Sequence, residues 1–133
     1  MSVAIKLKRS LILVGHGARN PNWAVPLRRM QAMVQQRLPD VAVELAFLEF
    51  MQPDLLTLVP QLAQRGCTEA TVVPLFLGQS GQVLRAIPPM LAQLEHEYPT
   101  ISLRLAKTVS DDTNVLEAMA TYCAATLTEF PGK

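Results

Sequence analysis

The sequence predicts an α/β fold, a three-layer sandwich in which helices flank a four-stranded, mostly parallel sheet. Short apolar stretches rich in branched residues alternate with amphipathic segments along the chain, and turn-forming residues separate them. No internal repeat or linker interrupts this alternation. Because 133 residues that are 50% hydrophobic suffice for one core, residues 1–133 are expected to form a single domain.

Four apolar stretches are the predicted strands. They are LILVGHG (11–17), VAVELAFLE (41–49), ATVVPLFL (70–77) and ISLRLAK (101–107). The first and third are almost continuously apolar, which is typical of strands covered on both faces. Since helices connect them, the strands should run parallel with right-handed crossovers.

Apolar residues spaced three or four apart predict a helix after each strand, with one stripe facing the core. The four stripes are Leu27, Met30, Val34 and Leu38; Leu55, Leu58, Val59 and Leu62; Val83, Ile87, Met90, Leu94 and Tyr98; and Leu116, Met119, Cys123 and Leu127. The Pro88–Pro89 pair is expected near the start of the third helix, because proline disrupts a helix interior. Cys67 and Cys123 lack redox or zinc spacing, so both are expected to be buried thiols.

Charge and hydropathy argue against several classes of function. A formal net charge of +1 gives no basis for binding nucleic acid or a membrane surface, since both require clustered positive charge. No apolar run approaches the roughly 20 residues of a membrane span, and the first residues do not resemble a signal peptide. We therefore expect a cytoplasmic protein.

Polar residues follow three of the predicted strands at their carboxyl ends, where ligands bind in open parallel sheets. His16 ends the first strand, Glu49 the second, and the Gly78–Gln82 loop follows the third. An imidazole and a carboxylate beside a glycine-rich loop can bind a divalent metal or transfer protons near neutral pH. Alternatively, His16 is a turn residue and Glu49 a solvated strand end.

Three linked motifs resemble the small CbiX-type sirohydrochlorin chelatases in order and spacing. They are LILVGHGARNPNWAVP, VELAFLEFMQPDL and VVPLFLGQSGQVLRAIP, and the similarity runs from about Leu11 to about Leu127. The resemblance implies a chelatase-like fold, a homodimer, and insertion of cobalt or iron into sirohydrochlorin, towards cobalamin or sirohaem. It implies no organic cofactor, and a divalent metal as substrate, with nickel as a third candidate.

The resemblance also assigns site residues. His16 matches the first catalytic histidine of the family, and Glu49 matches the acidic residue that helps to hold the metal. Gln82 is then a third, weaker metal ligand. A carboxylate-rich substrate needs basic and polar partners around the site. The candidates for substrate binding are Arg19, Gly78, Ser80, Gly81, Gln82 and Arg85.

The third motif departs from the family pattern in two places. Gln82 stands where the family usually has a second histidine, and Ala86 stands where an acidic residue usually follows. His96 lies late in a helix and cannot replace the missing histidine. A glutamine carbonyl coordinates metal weakly and is not a base, so two alternatives to an active chelatase stay open. One is a protein that binds a tetrapyrrole or metal without efficient insertion; the other is a histidine phosphotransfer enzyme, although Gly15 replaces the arginine of the RHG motif.

Overall fold

The computed structural model describes residues 8–77 and 81–129, and within these ranges it confirms the α/β class. Its four strands are β1 (Arg9–Gly15), β2 (Ala42–Phe47), β3 (Glu69–Pro74) and β4 (Ser102–Leu105). Its four α-helices are α1 (Val25–Arg37), α2 (Leu55–Gln64), α3 (Gly81–Glu97) and α4 (Thr113–Ala125). Short 3-10 helices occupy Pro21–Ala24, Val109–Asp111 and Thr126–Glu129.

The sheet has the order β2-β1-β3-β4, and every neighbouring pair is parallel. The chain moves from β1 to β2 on one side and then crosses back over β1 to reach β3. The strand order therefore reverses between β1 and β3, and their carboxyl ends form the crevice where such folds bind ligands.

Each face of the sheet packs against its own helices. On one face, Ile12, Val14 and Val72 are buried with apolar residues of α2 and α3, among them Leu58, Leu62, Ile87 and Leu94. On the other face, Leu13, Leu45 and Phe47 form a smaller core, against which Leu27 and Val34 of α1 pack. This division follows from alternation along the strands, which sends successive side chains to opposite faces.

Two expectations about α3 and the cysteines are corrected. Pro88 and Pro89 lie in the interior of α3 rather than near its start. Both prolines are exposed, so water can reach the carbonyl groups that they leave without donors. Cys67 is buried as expected, but Cys123 is exposed.

The exposure of Cys123 reflects the position of α4. The predicted fourth helix forms, yet it has no buried residue. Leu116, Met119 and Leu127, predicted to face the core with Cys123, are exposed. The stripe is present, but in the described chain it does not pack against the sheet.

Candidate functional site

His16 and Glu49 lie side by side at the carboxyl edge of the sheet, one and two residues after the ends of the adjacent strands β1 and β2. The Nε2 atom of His16 is 3.1 Å from the Oε2 atom of Glu49. Their side chains are 44% and 57% exposed, so a ligand can reach both from solvent. The structure thus brings together the two residues on which the predicted site depends.

Backbone hydrogen bonds extend the β1–β2 pairing past the ends of the strands and position these two residues. The Leu48 N–H donates to the carbonyl oxygens of Gly15 and His16, at 3.1 Å each. The Glu49 N–H donates to the His16 carbonyl oxygen at 2.9 Å. Because the backbones are paired here, the separation of the two side chains is set by the sheet rather than by a free loop.

Gly17 permits the close approach of the two segments. A Cβ atom at this position would collide with the Glu49 carbonyl oxygen, and Gly17 has a φ of 102°, which side-chain-bearing residues rarely adopt. The second glycine of GHG is therefore required by its contact with the segment that carries Glu49.

A tight turn centred on Phe50 follows Glu49. The Met51 N–H donates to the Glu49 carbonyl oxygen at 2.8 Å, and Phe50 has a φ of 67°. This combination of an i to i+2 hydrogen bond and a positive φ defines the rarer, strained form of the γ-turn. The guanidinium carbon of Arg19 lies 5.1 Å from the centre of the exposed Phe50 ring. Arg19, a predicted substrate-binding residue, is thereby placed beside the segment that carries Glu49.

On the other side of His16, Phe76 follows β3. The two rings meet edge to face, with centres 6.4 Å apart and planes inclined at 67°. Thr108, which is 5% exposed, fixes the backbone at Phe76. Its hydroxyl donates to the Phe76 carbonyl oxygen at 2.7 Å and accepts from the Phe76 N–H at 3.2 Å. The loop after β4 thus supports the aromatic contact with His16.

Arg85 lines a cleft of about 500 Å³ at the carboxyl ends of β3 and β4, and neither His16 nor Glu49 is among the described residues that line this cleft. Pro74, Leu105, Lys107 and Thr108 also line the cleft. Arg85 and Lys107 make it a place where an anionic group can bind, although Asp111 on the same wall offsets part of their charge.

The third predicted motif is only partly described. Gly78 and Ser80 lie outside the described residues. Gly81 and Gln82 form the first residues of α3, and the Gln82 side chain is outside the description. His96 lies in the last turn of α3, as expected. Within the described part of the chain, no group of three or more His, Cys, Asp and Glu residues could hold a metal ion.

The pair can nevertheless perform two chemical tasks. A neutral imidazole nitrogen and a carboxylate oxygen can both bind one divalent cation, and each can accept a proton when it is free. Sequence reasoning did not single out Phe50, Phe76, Lys107 or Thr108 for the site. Lys107 could have been found, because it ends a predicted strand just as Glu49 does; the other three depend on turn geometry and contacts that spacing does not reveal.

Sequence comparison relates the chain to one family. The CbiX family model matches residues 10–125. The sirohydrochlorin cobaltochelatase of Methanocaldococcus jannaschii is 33% identical over 89 residues, which cover 67% of this chain and 62% of that protein. The sirohydrochlorin ferrochelatase of Bacillus subtilis is 24% identical over 113 residues, which cover 85% of this chain and 43% of that protein. The matches thus span under two thirds of these relatives.

Solved structures share the fold. A CbiX protein from Marinobacter aquaeolei has a TM-score of 0.80 and 26% identity, with 91% of this chain and 98% of that chain covered. The sirohydrochlorin chelatase SirB from Bacillus subtilis subspecies spizizenii, in complex with cobalt, has a TM-score of 0.76 and 24% identity. That match covers 89% of this chain and 50% of SirB.

Proposed function

The chain belongs to the CbiX family, and we propose that it inserts a divalent metal, cobalt or iron, into sirohydrochlorin or a related tetrapyrrole. The observation that carries the proposal is the His16–Glu49 pair, half-exposed and 3.1 Å apart at the edge of the sheet. The relatives named as cobaltochelatase and ferrochelatase support both the reaction and the two metals. Such a reaction serves cobalamin or sirohaem biosynthesis.

The pair suits an exchange of metal for protons. His16 Nε2 and Glu49 Oε2 together bind the divalent ion, which replaces the hydrogen bond between them. As the ion passes to the four pyrrole nitrogens, two of these nitrogens lose their protons. The imidazole and the carboxylate, freed of metal, each accept one proton, so charge and atoms balance.

Residues beside the pair and in the cleft at the carboxyl ends of β3 and β4 then bind and orient the macrocycle. Arg19 and Arg85 supply charge-assisted hydrogen bonds to peripheral carboxylates of the substrate. Gly78, Ser80, Gly81 and Gln82 belong to the same proposed binding surface, with Gln82 as a weak third ligand for the metal. These roles rest on the family resemblance and on the position of the third motif after β3.

A second function is favoured by the two departures in that motif. Gln82 and Ala86 replace a histidine and an acidic residue, which removes one proton acceptor and its orienting partner. A protein with this composition could hold a tetrapyrrole or a metal without accelerating insertion. The chelatase function and the binding function differ in the rate of metal insertion rather than in the affinity for the tetrapyrrole or the metal.

The deciding experiment mixes the purified protein with sirohydrochlorin and Co²⁺, Fe²⁺ or Ni²⁺ under anaerobic conditions and follows the absorption spectrum. The chelatase proposal predicts insertion of Co²⁺ or Fe²⁺ faster than in a control without protein. Tight binding without acceleration would support the binding function. A protein that neither binds sirohydrochlorin nor accelerates insertion would overturn both functions. The nickel arm tests the third metal candidate, which the relatives described above do not support.

We further propose that the chain acts as a homodimer. Large apolar residues of α4 and of the 3-10 helix that follows it are exposed, and a monomer rarely leaves such a set uncovered. These residues are Leu116, Met119 and Tyr122 in α4 and Leu127 in the 3-10 helix. Light scattering at micromolar concentration should give a dimer mass, and Met119→Glu should convert it to a monomer. A monomer mass for the unaltered chain would contradict the proposal.

The expected cytoplasmic location stays a prediction. Cys67 and Cys123 are both free thiols, which suits a reducing compartment. Among the described residues, none of the helices combines the length and hydropathy that a membrane span requires.

A further inference from the structure

Phe50 has an unusual backbone and an unusual environment at the same time. Its φ of 67° lies in the left-handed region, where glycine and asparagine fit best and a bulky side chain is strained. Its side chain is 60% exposed. A large apolar ring in a strained, exposed position needs a reason outside the ordinary requirements of folding.

The hydrophobic core does not supply that reason. Neither of the two buried clusters, nor the set of partly buried residues packed against them, includes Phe50. The neighbouring residue Met51, in contrast, packs against the smaller core. The turn therefore directs the Met51 side chain inward and leaves the preceding side chain, Phe50, facing solvent.

The position of the ring relative to the site suggests what it contacts. Phe50 directly follows Glu49, whose carboxylate is one half of the proposed metal pair. Arg19 lies against the ring, with its guanidinium carbon 5.1 Å from the ring centre. Because Phe50 remains largely exposed with Arg19 in place, part of its surface is free to receive a flat ligand.

We infer that Phe50 and Arg19 form a binding platform for a planar, carboxylate-bearing macrocycle. The Phe50 ring packs against the apolar plane of the ligand, and the Arg19 guanidinium donates hydrogen bonds to a carboxylate at its periphery. This inference rests on the proposed function, and it adds Phe50 as a substrate-positioning residue beside the metal pair.

Binding can be measured without metal, which separates the platform from insertion. Trp23 is the single tryptophan of the chain and is 39% exposed, so quenching of its emission by metal-free sirohydrochlorin gives a dissociation constant. The variants are Phe50→Gly, which suits the positive φ but lacks a ring, Phe50→Tyr, which keeps the ring, and Met33→Ala, which shortens an exposed apolar side chain on α1 as a control.

The platform predicts that Phe50→Gly weakens binding about tenfold, whereas Phe50→Tyr and Met33→Ala bind like the wild type. Phe50→Gly should also leave the Tm unchanged or raise it by a few degrees, because glycine relieves the backbone strain. Arg19→Gln should weaken binding and make it less sensitive to salt, since one charged contact is lost.

The results that would contradict the platform, the chelatase proposal or both can be told apart. Equal affinity of Phe50→Gly and the wild type would overturn the platform while leaving the chelatase proposal intact. Conversion of a dimer to a monomer by Phe50→Gly would assign the ring to an interface between copies and would also overturn it. If the wild type binds sirohydrochlorin but does not insert metal, the chelatase proposal fails and the platform is still tested by the variants. Absence of any binding by the wild type would refute both.

Discussion

The β1–β2 half of the site and the β3–β4 half are held in place in different ways. After β1 and β2, backbone hydrogen bonds continue the sheet pairing as far as Glu49, and Gly17 lets the two segments touch. After β3 and β4, backbone hydrogen bonds continue the pairing by one residue, at Leu75 and Ala106, and the next described connection, at Phe76, depends on the side-chain hydroxyl of Thr108. The proposed metal chemistry lies in the first half, where a change of side chain at His16 or Glu49 that keeps the backbone hydrogen bonds there should leave the two segments paired.

This difference bears on how residue changes should affect the site. A half built from backbone contacts can keep the spacing of two side chains while their identities change. In the second half, Gln82 and Ala86 stand where the family resemblance leads us to expect a histidine and an acidic residue, yet the fold still matches a CbiX structure with a TM-score of 0.80. We therefore expect changes in the second half to alter binding or rate without altering the fold.

The largest expected effect comes from Gly17→Ala. The new Cβ would collide with the Glu49 carbonyl oxygen in a backbone conformation that alanine resists, so we expect a loss of about 3 kcal/mol or more in the free energy of unfolding. Gly66→Ala is the control, because Gly66 also has a positive φ, 88°, but lies in the turn just after α2. Denaturant titration of both variants measures the difference; equal losses would show that the contact with Glu49 does not matter.

In the other half, Thr108→Val should remove the hydroxyl that binds the Phe76 backbone. We expect a loss of about 2 kcal/mol, because the partly buried N–H and carbonyl of Phe76 lose their partner. Thr108→Ser keeps the hydroxyl and should cost less than half as much. Thermal unfolding of the two variants provides the test, and a similar Tm for both would argue against the hydroxyl as the support.

A substitution at Gln82 can supply the proton acceptor that the third motif is proposed to lack. Gln82→His should speed cobalt insertion about tenfold, below the range that a well-placed general base contributes. Ala86 lies four residues further along α3, on the same helical face, so adding Ala86→Asp should orient the new imidazole and raise the rate further. Initial rates of the single and double variants measure this. No gain at unchanged substrate affinity would favour the binding function.

The smallest effect concerns Asp54, which caps α2 at the end of the segment that carries Glu49. Hydrogen bonds from Thr57 hold the pKa of Asp54 below its ordinary value of 3.8. The folded state therefore favours the carboxylate, and this stabilisation is present above that value and is lost as the pH falls through the lower folded pKa. Asp54→Ala should cost about 1 kcal/mol at pH 7.

Unfolding measured between pH 7 and pH 2 checks the sign. The difference between the wild type and Asp54→Ala should shrink below pH 4. Asp54→Asn, a neutral residue that also caps helices, should show less dependence on pH than the wild type in the same range. A difference that grows on acidification would contradict the assignment.

Strand and helix order could be predicted because apolar periodicity is a local signal, and the adjacency of His16 and Glu49 followed from parallel pairing of β1 with β2. The exposure of α4 could not be predicted, because an apolar stripe that ends in Leu127 indicates an apolar side of the helix but does not indicate what covers that side. The turn at Phe50 also escaped prediction, since an aromatic residue gives no sign of a positive φ. Thr108 was missed because its partners lie 32 to 34 residues away.

The most direct test compares the two histidines in the initial rate of cobalt insertion into sirohydrochlorin. His16→Ala should lower the rate by about 100-fold or more, since it removes a metal ligand and a proton acceptor from the β1–β2 half. His96→Ala, which alters an exposed residue in the last turn of α3, should leave the rate unchanged. Equal rates for His16→Ala and the wild type, with both proteins folded, would contradict the location of the chemistry at the His16–Glu49 pair.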